Sequence, residues 1–479
     1  MVNETTPLID ARNSDRTSKQ APPAYAYLVA AIATLNSVNL GFDVGVSSGI
    51  GVFMQEDMQL SDWEVGLFMG SIHYMAAVGS FFSHYFCDHL GRRLTFTVSQ
   101  LLFLVGVCLL VTSTGFEQVL LSRIFTGFAI GIALAIDPLY ISEVAPASHR
   151  GQLTSFCEIA INVGILLGFI ANWVFADLPP GQNWRAMPLC GAIGPSTLLI
   201  LSLTVMPESP RWLSAQGRYT EAEEIIRRTH NADEDVDALM TGIKSQAREE
   251  EHVLSLGWRP LLQPDAKTRW MIMAGIGVAF AQHITGAESV VMYSPEIFRH
   301  AGVATQDSEL FAMTICLGVV KTACVVVSAM YVDGFGRRPL LLLGMAGICI
   351  SQLMLSLGFA IQHNNLTVAG VFSFMCCYGL GIGPVCWLLA SEVFPLKIRG
   401  KAMSLATAAN RISSATVALT FLPLSDLLGL SGYFLLFAVL SMLVGIIQFF
   451  TVPETKGKTL EMMEASFDAS NFKPSLFQS

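Results

Sequence analysis

DHLGRR, from Asp88 to Arg93, stands between two long apolar runs, and the same charged turn returns as DGFGRR from Asp333 to Arg338. Two further signatures repeat at the same step. SEVAPASHRG (Ser142 to Gly151) is echoed by SEVFPLKIRG (Ser391 to Gly400), and MPESPRWL from Met206 is echoed more weakly by VPETKGKTL from Val452. The three offsets agree at about 245 residues, so one half of the chain is a duplicate of the other in the same orientation.

Composition says where such a duplicated chain lives. Hydrophobic residues make up 52% and charged residues only 14%, and the mean hydropathy is +0.54, well outside the range of a soluble domain. Apolar runs of about 20 residues, long enough to cross a hydrocarbon layer of about 30 Å, occur twelve times. They lie near Ala26 to Ile50, Val65 to Phe86, Leu94 to Ser113, Val119 to Ile141, Leu153 to Phe175 and Trp184 to Met206 in the first half. In the second they lie near Trp270 to Phe298, Leu310 to Val332, Leu340 to Ile361, Leu366 to Phe394, Ala402 to Leu424 and Gly432 to Val452. Backbone groups must be satisfied internally in lipid, so each run is expected to be a helix. The expected fold is an all-α membrane protein of twelve transmembrane helices in two six-helix halves.

Placing the N-terminus in the cytoplasm puts nearly all of the 28 Lys and Arg on the inner side; Arg123, Lys321 and Arg411 fall inside helices and only Arg185 and Arg299 face out. That asymmetry predicts N-in and C-in. The net charge of −9 then says little about partners, and nucleic acid is excluded. The ten cysteines lie within or beside the apolar runs, so structural disulfides are not expected. The first apolar run follows a polar tail and is too long and Gly-rich for a cleavable signal peptide, so it is expected to stay as the first helix.

The chain therefore divides into an N-terminal tail (1–24), a first half (25–206), a linker (207–268), a second half (269–452) and a C-terminal tail (453–479). GRYTEAEEIIRR places Glu223 four residues before Arg227 and Glu224 four before Arg228, which predicts a short solvated helix in the linker. DEDVDALMTGIKSQAREEE reads as helical as well. The linker is expected to form a small cytoplasmic helical cap.

Ionisable side chains inside a membrane are costly and are functional candidates by default. Asp43 stands in the Gly-rich stretch GFDVGVSSG, and Arg123 on the fourth helix is expected at similar depth. A carboxylate beside a guanidinium can be held ionised and take a proton when the pairing weakens, so the two are a candidate proton switch; the plain alternative is a structural ion pair. Glu158, Glu288 and Lys321 are further buried candidates. Gln282 and Ser289 are spaced to share a helix face interrupted by Gly286, Trp387 follows the helix-breaking GLGIGP, and Asn410 and Arg411 adjoin on helix eleven. Amide and carboxylate groups around an aromatic ring suit a hydroxyl-rich ligand, although each residue alone is more often a helix-to-helix contact. His283 is a further hydrogen-bonding candidate. The Asp-x-x-Gly-Arg-Arg turns, with Asp88, Arg92, Arg93, Asp333, Arg337 and Arg338, combine with Glu143, Arg150, Glu392 and Arg399 into charge networks expected to latch the halves at the inner face. Asp137, before Pro138, has no evident basic partner and no assigned role. No metal constellation, nucleophile triad or phosphate loop is present, and no cofactor is expected.

GFDVGVSSG, DHLGRR, SRIFTGFAIG, PLYISEVAPASHRG, MPESPRWL, AQHITGAESVVMYSPEIF, VDGFGRRPLLLLG, GPVCWLLASEVFP and VPETKGKTL together resemble the sugar porter family of the major facilitator superfamily, from about Tyr25 to Leu460. LTSFCEIAINVGILLGF, with Glu158 where most members have glutamine, is especially similar to plant proton-coupled polyol and monosaccharide transporters, as are Glu288 and Lys321. The resemblance implies that Asp43 is the acid of a proton symporter with Arg123 its partner. It implies that Glu158, Gln282, His283, Glu288, Lys321, Trp387 and Asn410 line the substrate site. It also brings Glu208, Arg211 and Glu454 of the repeated signatures into the gating networks. The chain departs from the family at His84, at His283 and at Arg411; the first bears on gating and the others on which substrate binds.

The expected activity is proton-coupled symport of a polyol (sorbitol, mannitol, xylitol or inositol type) or monosaccharide by alternating access, by a protein acting as a monomer and not an enzyme. A passive facilitator and a non-transporting sugar receptor are the alternatives; Asp43 argues against the first and the short tails against the second. ETTPLI, Glu4 to Ile9, resembles an acidic dileucine signal read by a sorting adaptor, which leaves a vacuolar or endosomal membrane open beside the plasma membrane. Asn365-Leu366-Thr367 is a sequon in a loop too short to favour glycosylation.

Overall fold

The computed structural model describes residues 23–146, 149–230, 236–243, 259–303, 306–395, 398–458, 463 and 467. The expected sorting signal at Glu4 to Ile9 and most of the second linker helix lie outside them. The first half comprises α1 (Ala24–Met58), α2 (Asp62–Leu90), α3 (Arg92–Val111), α4 (Phe116–Val144), α5 (Arg150–Phe175), α6 (Asn183–Gly191) and α7 (Ile193–Thr204). The linker contributes α8 (Pro210–Ala215), α9 (Tyr219–Thr229), α10 (236–243) and α11 (Arg259–Leu262). The second half comprises α12 (Ala266–Ile284), α13 (Ala287–Met292), α14 (Ser294–His300), α15 (Asp307–Phe335), α16 (Arg337–Ala360), α17 (Asn364–Leu380), α18 (Ile382–Val393) and α19 (Arg399–Thr451).

Among the described residues, eleven helical stretches are long and apolar enough to cross a membrane. The twelfth crossing is inside α19, whose 53 residues contain Pro423 and a non-helical Gly429 at φ 69°, ψ 159°. Glycine alone enters that region at little cost, so the chain turns there and the eleventh and twelfth spans follow each other with no separate loop. The seventh span is broken at Gly286 (φ 86°) into α12 and α13, and the tenth at Gly381 into α17 and α18. These breaks expose backbone carbonyls at membrane depth, which lipid forbids and a protein-lined interior permits.

Glycine also sets how close the spans come. A Cβ on Gly41 would lie 1.9 Å from the Ile161 carbonyl oxygen, and one on Gly164 would lie 2.2 Å from that of Val38. Hence α1 and α5 are locked backbone to backbone. The two halves meet along two lines, α2 against α19 and α5 against α15. Tyr74 shares a hydrogen bond with Thr416 at 3.3 Å on the first line, and Thr322 donates to the Asn162 carbonyl at 3.4 Å on the second.

The linker is helical and has a small core of Leu213, Ala222, Ile226 and Met240. Arg227 pairs with Glu223 at 2.6 Å. The second expected pair is replaced: Arg228 lies 4.2 Å over the Tyr25 ring, which ties the linker to the start of α1. Met463 and Phe467 of the C-terminal tail are buried against Met271, Ala274 and Val393.

Candidate functional site

The charge motifs at one end of the bundle repeat in three dimensions. Gly91 has φ 84° and Gly336 φ 92°, a conformation that opens α3 and α16 with their first N–H groups unpaired. A carboxylate just past the last span of the same half fills each gap. Glu208 accepts from the Arg92 amide at 2.8 Å and the Arg93 amide at 3.2 Å; Glu454 accepts from those of Arg337 and Arg338, each at 3.1 Å. A Cβ on Gly91 would sit 2.5 Å from Glu208 Oε2, and one on Gly336 2.8 Å from Glu454 Oε2. The glycine of the motif is thus needed twice over, for its φ and for the carboxylate. Burial pushes the Glu208 carboxyl up, against the backbone N–H groups of Ser209, Arg92 and Arg93 that favour its charged form.

The arginines complete the motif. Arg92 grips Glu143 through Nε at 2.8 Å and Nη2 at 2.6 Å, and Arg337 reaches Glu392 at 3.0 Å. Arg93 and Arg338 donate to carbonyls, Ser202 at 2.7 Å and Phe449 at 2.8 Å, while Arg399 donates to Phe394 at 3.1 Å. His84 pairs with Asp88 at 3.1 Å, and Arg211 is half-buried beside Trp212. The side chains of Arg150 and Asp333 lie outside the described residues. The expected latch between halves therefore needs correction: among the described residues, each of the pairs above lies within one half or ties it to the segment that directly follows its last span. Glu143 and Glu392 come from within the half and Glu208 and Glu454 from just past its last span, so these contacts brace each half rather than join the two.

Asp43 and Arg123 do meet. Arg123 Nη1 donates to Asp43 Oδ2 at 2.9 Å and Nη2 to Ser47 Oγ at 2.6 Å. The guanidinium also stands 3.8 Å over the Phe68 ring. The arginine is 0% and the acid 3% exposed, so the pair is screened by neither water nor salt.

The second half supplies a polar cluster at the α12 break. Gln282 donates to the Gly383 carbonyl at 2.8 Å, and Asn410 donates to Gln282 Oε1 at 2.7 Å and to the Ala279 carbonyl at 2.8 Å. Arg411 binds the Asn410 side-chain oxygen through Nε at 2.9 Å and lies 2.9 Å from His283 Nε2 through Nη2. Glu288 accepts from Ser414 at 2.9 Å. His283 Nδ1 is 3.0 Å from Glu288 Oε1 but out of line for a hydrogen bond.

His73, from α2 of the other half, brings Nε2 to 3.9 Å from Glu288 Oε2 with no hydrogen-bond partner of its own. Sequence reasoning missed His73 and Ser414. The available signal for the former was a histidine in an otherwise apolar run.

The remaining candidates sit around this cluster. Lys321 is buried 5.5 Å from the Tyr378 ring centre and feels the charges of Glu288 and Glu158 at longer range. Glu158 is half-buried, with Asn162 donating to its carbonyl at 2.8 Å. Trp387 packs half-exposed on the large core. Ser289 departs from the face it was expected to share with Gln282: the left-handed Gly286 turns it to the Tyr433 hydroxyl. The arrangement offers fixed donors, fixed acceptors and both signs of charge at the break between α12 and α13, where the halves meet.

Known proteins match this architecture over nearly its whole length. The family model described as sugar (and other) transporter matches residues 29–467. Among curated proteins of Arabidopsis thaliana, putative polyol transporter 1 is 38% identical over 467 residues, 92% of this chain and 91% of that protein. Probable polyol transporter 6 is 35% identical, over 96% and 98%. Among solved structures, the partially occluded inward-open xylose transporter XylE from E. coli superposes with a TM-score of 0.77 at 26% identity, covering 91% of this chain and 100% of that one. The proton:xylose symporter XylE bound to 6-bromo-6-deoxy-D-glucose gives a TM-score of 0.76 at 27% identity, over 93% and 99%. With its twelve spans in two repeated halves, the chain belongs to the sugar transporter family of the major facilitator superfamily, a multi-pass membrane transporter and not an enzyme.

Proposed function

We propose that this protein is a proton-coupled symporter of a polyol or monosaccharide, and the observation that carries the reading is the buried Asp43–Arg123 pair. A carboxylate at membrane depth is stable only while its cation is in place. Displacing Arg123 leaves protonation as the low-energy alternative, so movement of α1 against α4 and proton uptake become one event. The relatives named for polyols and the solved neighbour named a proton:xylose symporter support both halves of the reading.

Substrate binds beside Gln282, His283, Glu288, Asn410 and Arg411, with Glu158, Lys321 and Trp387 closing the site from α5, α15 and α18. Neutral hydroxyls both donate and accept, and this set presents carboxylate and amide acceptors beside guanidinium and ammonium donors. Residues 25–206 and 269–452 rock as two bodies about this site, each braced by its own Asp-x-x-Gly-Arg-Arg network. Both termini face the cytoplasm and the protein works as a monomer, in the plasma membrane or, where Glu4 to Ile9 is read by a sorting adaptor, in a vacuolar or endosomal membrane. A proton entering down the membrane potential supplies about 2.3 kcal/mol per 100 mV for accumulation.

The test is uptake of labelled sorbitol, inositol and xylose into proteoliposomes carrying an imposed proton gradient. Wild-type protein should concentrate one of them and move protons inward with it. Flux without concentration would identify a facilitator, and binding without flux a receptor.

A further inference from the structure

Asp137, on α4, is buried at 2% exposure, and the partners its carboxylate holds among the described residues, Asn36 and Ser37, are neutral. It closes a one-way chain of amides. Asn39 donates to Gln100 Oε1 at 3.2 Å, Gln100 donates to Asn36 Oδ1 at 2.9 Å, and Asn36 donates to Asp137 Oδ1 at 2.8 Å. Each link fixes the orientation of the next, so Asn36 can only present N–H to the acid. The other oxygen, Oδ2, is 2.5 Å from Ser37 Oγ. A hydroxyl rotates between donor and acceptor at no cost in geometry.

We infer that Asp137 is a second proton-binding acid of this transporter, separate from Asp43, loading and releasing its proton through Oδ2 opposite Ser37. This rests on the symporter reading above. Both protonation states are satisfied where Asp137 stands. As a carboxylate it accepts from Asn36 and Ser37; as an acid it keeps Asn36 on Oδ1, and its own O–H donates to a Ser37 hydroxyl turned to accept. The directed amides favour the anion, and burial without a cation favours the acid. These opposed influences make a group that titrates, whereas a purely structural contact would need only a neutral amide.

Position suits the role. Asp137 lies fourteen residues beyond Arg123 and six before Glu143 on the same helix, about 21 Å and about 9 Å of rise, between the Asp43 pair and the charge motif that holds Arg92. The facing groups are Asn36 and Ser37 from α1, Gln100 linked through Asn36 from α3, and the Cys157 thiol from α5. Cys157 is therefore the titratable neighbour, among the described residues, to control by Cys157→Ala.

The experiment compares wild type with Asp137→Asn, Asp137→Glu, Asn36→Leu and Cys157→Ala in proteoliposomes, reading substrate accumulation, protons moved per substrate and substrate exchange at equal pH. Asp137→Asn should lower protons per substrate about twofold and accumulation at least threefold, with exchange reduced much less; Asp137→Glu should restore the ratio. Asn36→Leu removes the fixed donor to the anion, so the pH at which uptake is half-maximal should rise by about one unit, and Cys157→Ala should leave that pH in place. An Asp137→Asn protein that exchanges substrate and keeps the wild-type proton ratio overturns the inference. So does an Asn36→Leu profile that does not move. If wild type itself moves no protons with substrate, the symporter reading is what fails.

Discussion

The charge motifs of the two halves match residue for residue, and the polar interiors of the two halves do not. Gly91 and Gly336 share their backbone conformation, Glu208 and Glu454 cap equivalent helix ends, and Glu143 and Glu392 hold the equivalent arginines Arg92 and Arg337. Among the described residues, the polar groups at membrane depth do not match in this way. The first half holds an acid–arginine pair and an amide-bound acid, and the second holds Gln282, His283, Glu288, Asn410 and Arg411 around a broken helix. Equivalent ends hold the two bodies by the same contacts; under the proposed reading, the unequal interiors put the proton acids in the first body and most of the substrate cluster in the second.

The comparison breaks most visibly at Asp43. Asp43→Asn leaves Arg123 as a buried cation without its acid, worth about 3–5 kcal/mol, and should reduce concentrative uptake to simple equilibration. Retained accumulation that still depends on pH would end the proton assignment. In the other interior, Glu288→Gln takes the negative partner from His283 and His73 and should raise the half-saturating substrate concentration about tenfold, the scale of one charged hydrogen bond, without abolishing coupling. Loss of coupling with unchanged half-saturation would place Glu288 among the proton residues instead.

At the matched ends the expectation is equality. Gly91→Ala and Gly336→Ala each force an L residue into positive φ, at about 1–2 kcal/mol, and push its Cβ against a carboxylate. Thermal unfolding in detergent should fall by similar amounts for both, and a large difference would show that the halves are not braced alike.

The smallest effect is at the surface. Glu296, 3.1 Å from His300, holds the imidazolium above the usual histidine range, with the hydrogen bond the main cause. The bond's contribution is complete below about pH 6.5 and is lost as pH rises through the folded value. His300→Gln should therefore cost stability at about pH 5.5 and nothing measurable at about pH 9. The pair is half-exposed, so the difference should stay within about 1 kcal/mol.

Reading the chain alone reached the ends of this molecule better than its middle. The Asp-x-x-Gly-Arg-Arg turn was legible because its charges interrupt apolar runs and recur at a fixed step. Its partners Glu208 and Glu454 entered only through family resemblance. That each network braces its own half was invisible, because a charge pattern carries no partner. Asp43 and Arg123 stood out because charges in apolar runs are costly. His73 did not, since a single histidine among apolar residues has many ordinary explanations until Glu288 is found 3.9 Å away. Asp137 looked unaccounted for because its partners are neutral residues about a hundred positions distant.

Sequence by itself determined the number of spans, their duplication and the residue types that had to be buried, because hydrophobic length and repeat spacing are properties of neighbours along the chain. Tertiary structure alone decided which buried groups meet. Where Gly286 turns Ser289 away from Gln282, where Arg228 leaves Glu224 for Tyr25, and where Asn36 is held facing Asp137, the outcome depends on helices packing at distances that side chains from far parts of the chain set together. Burial made each polar group seek a partner, and only the packed bundle chose it.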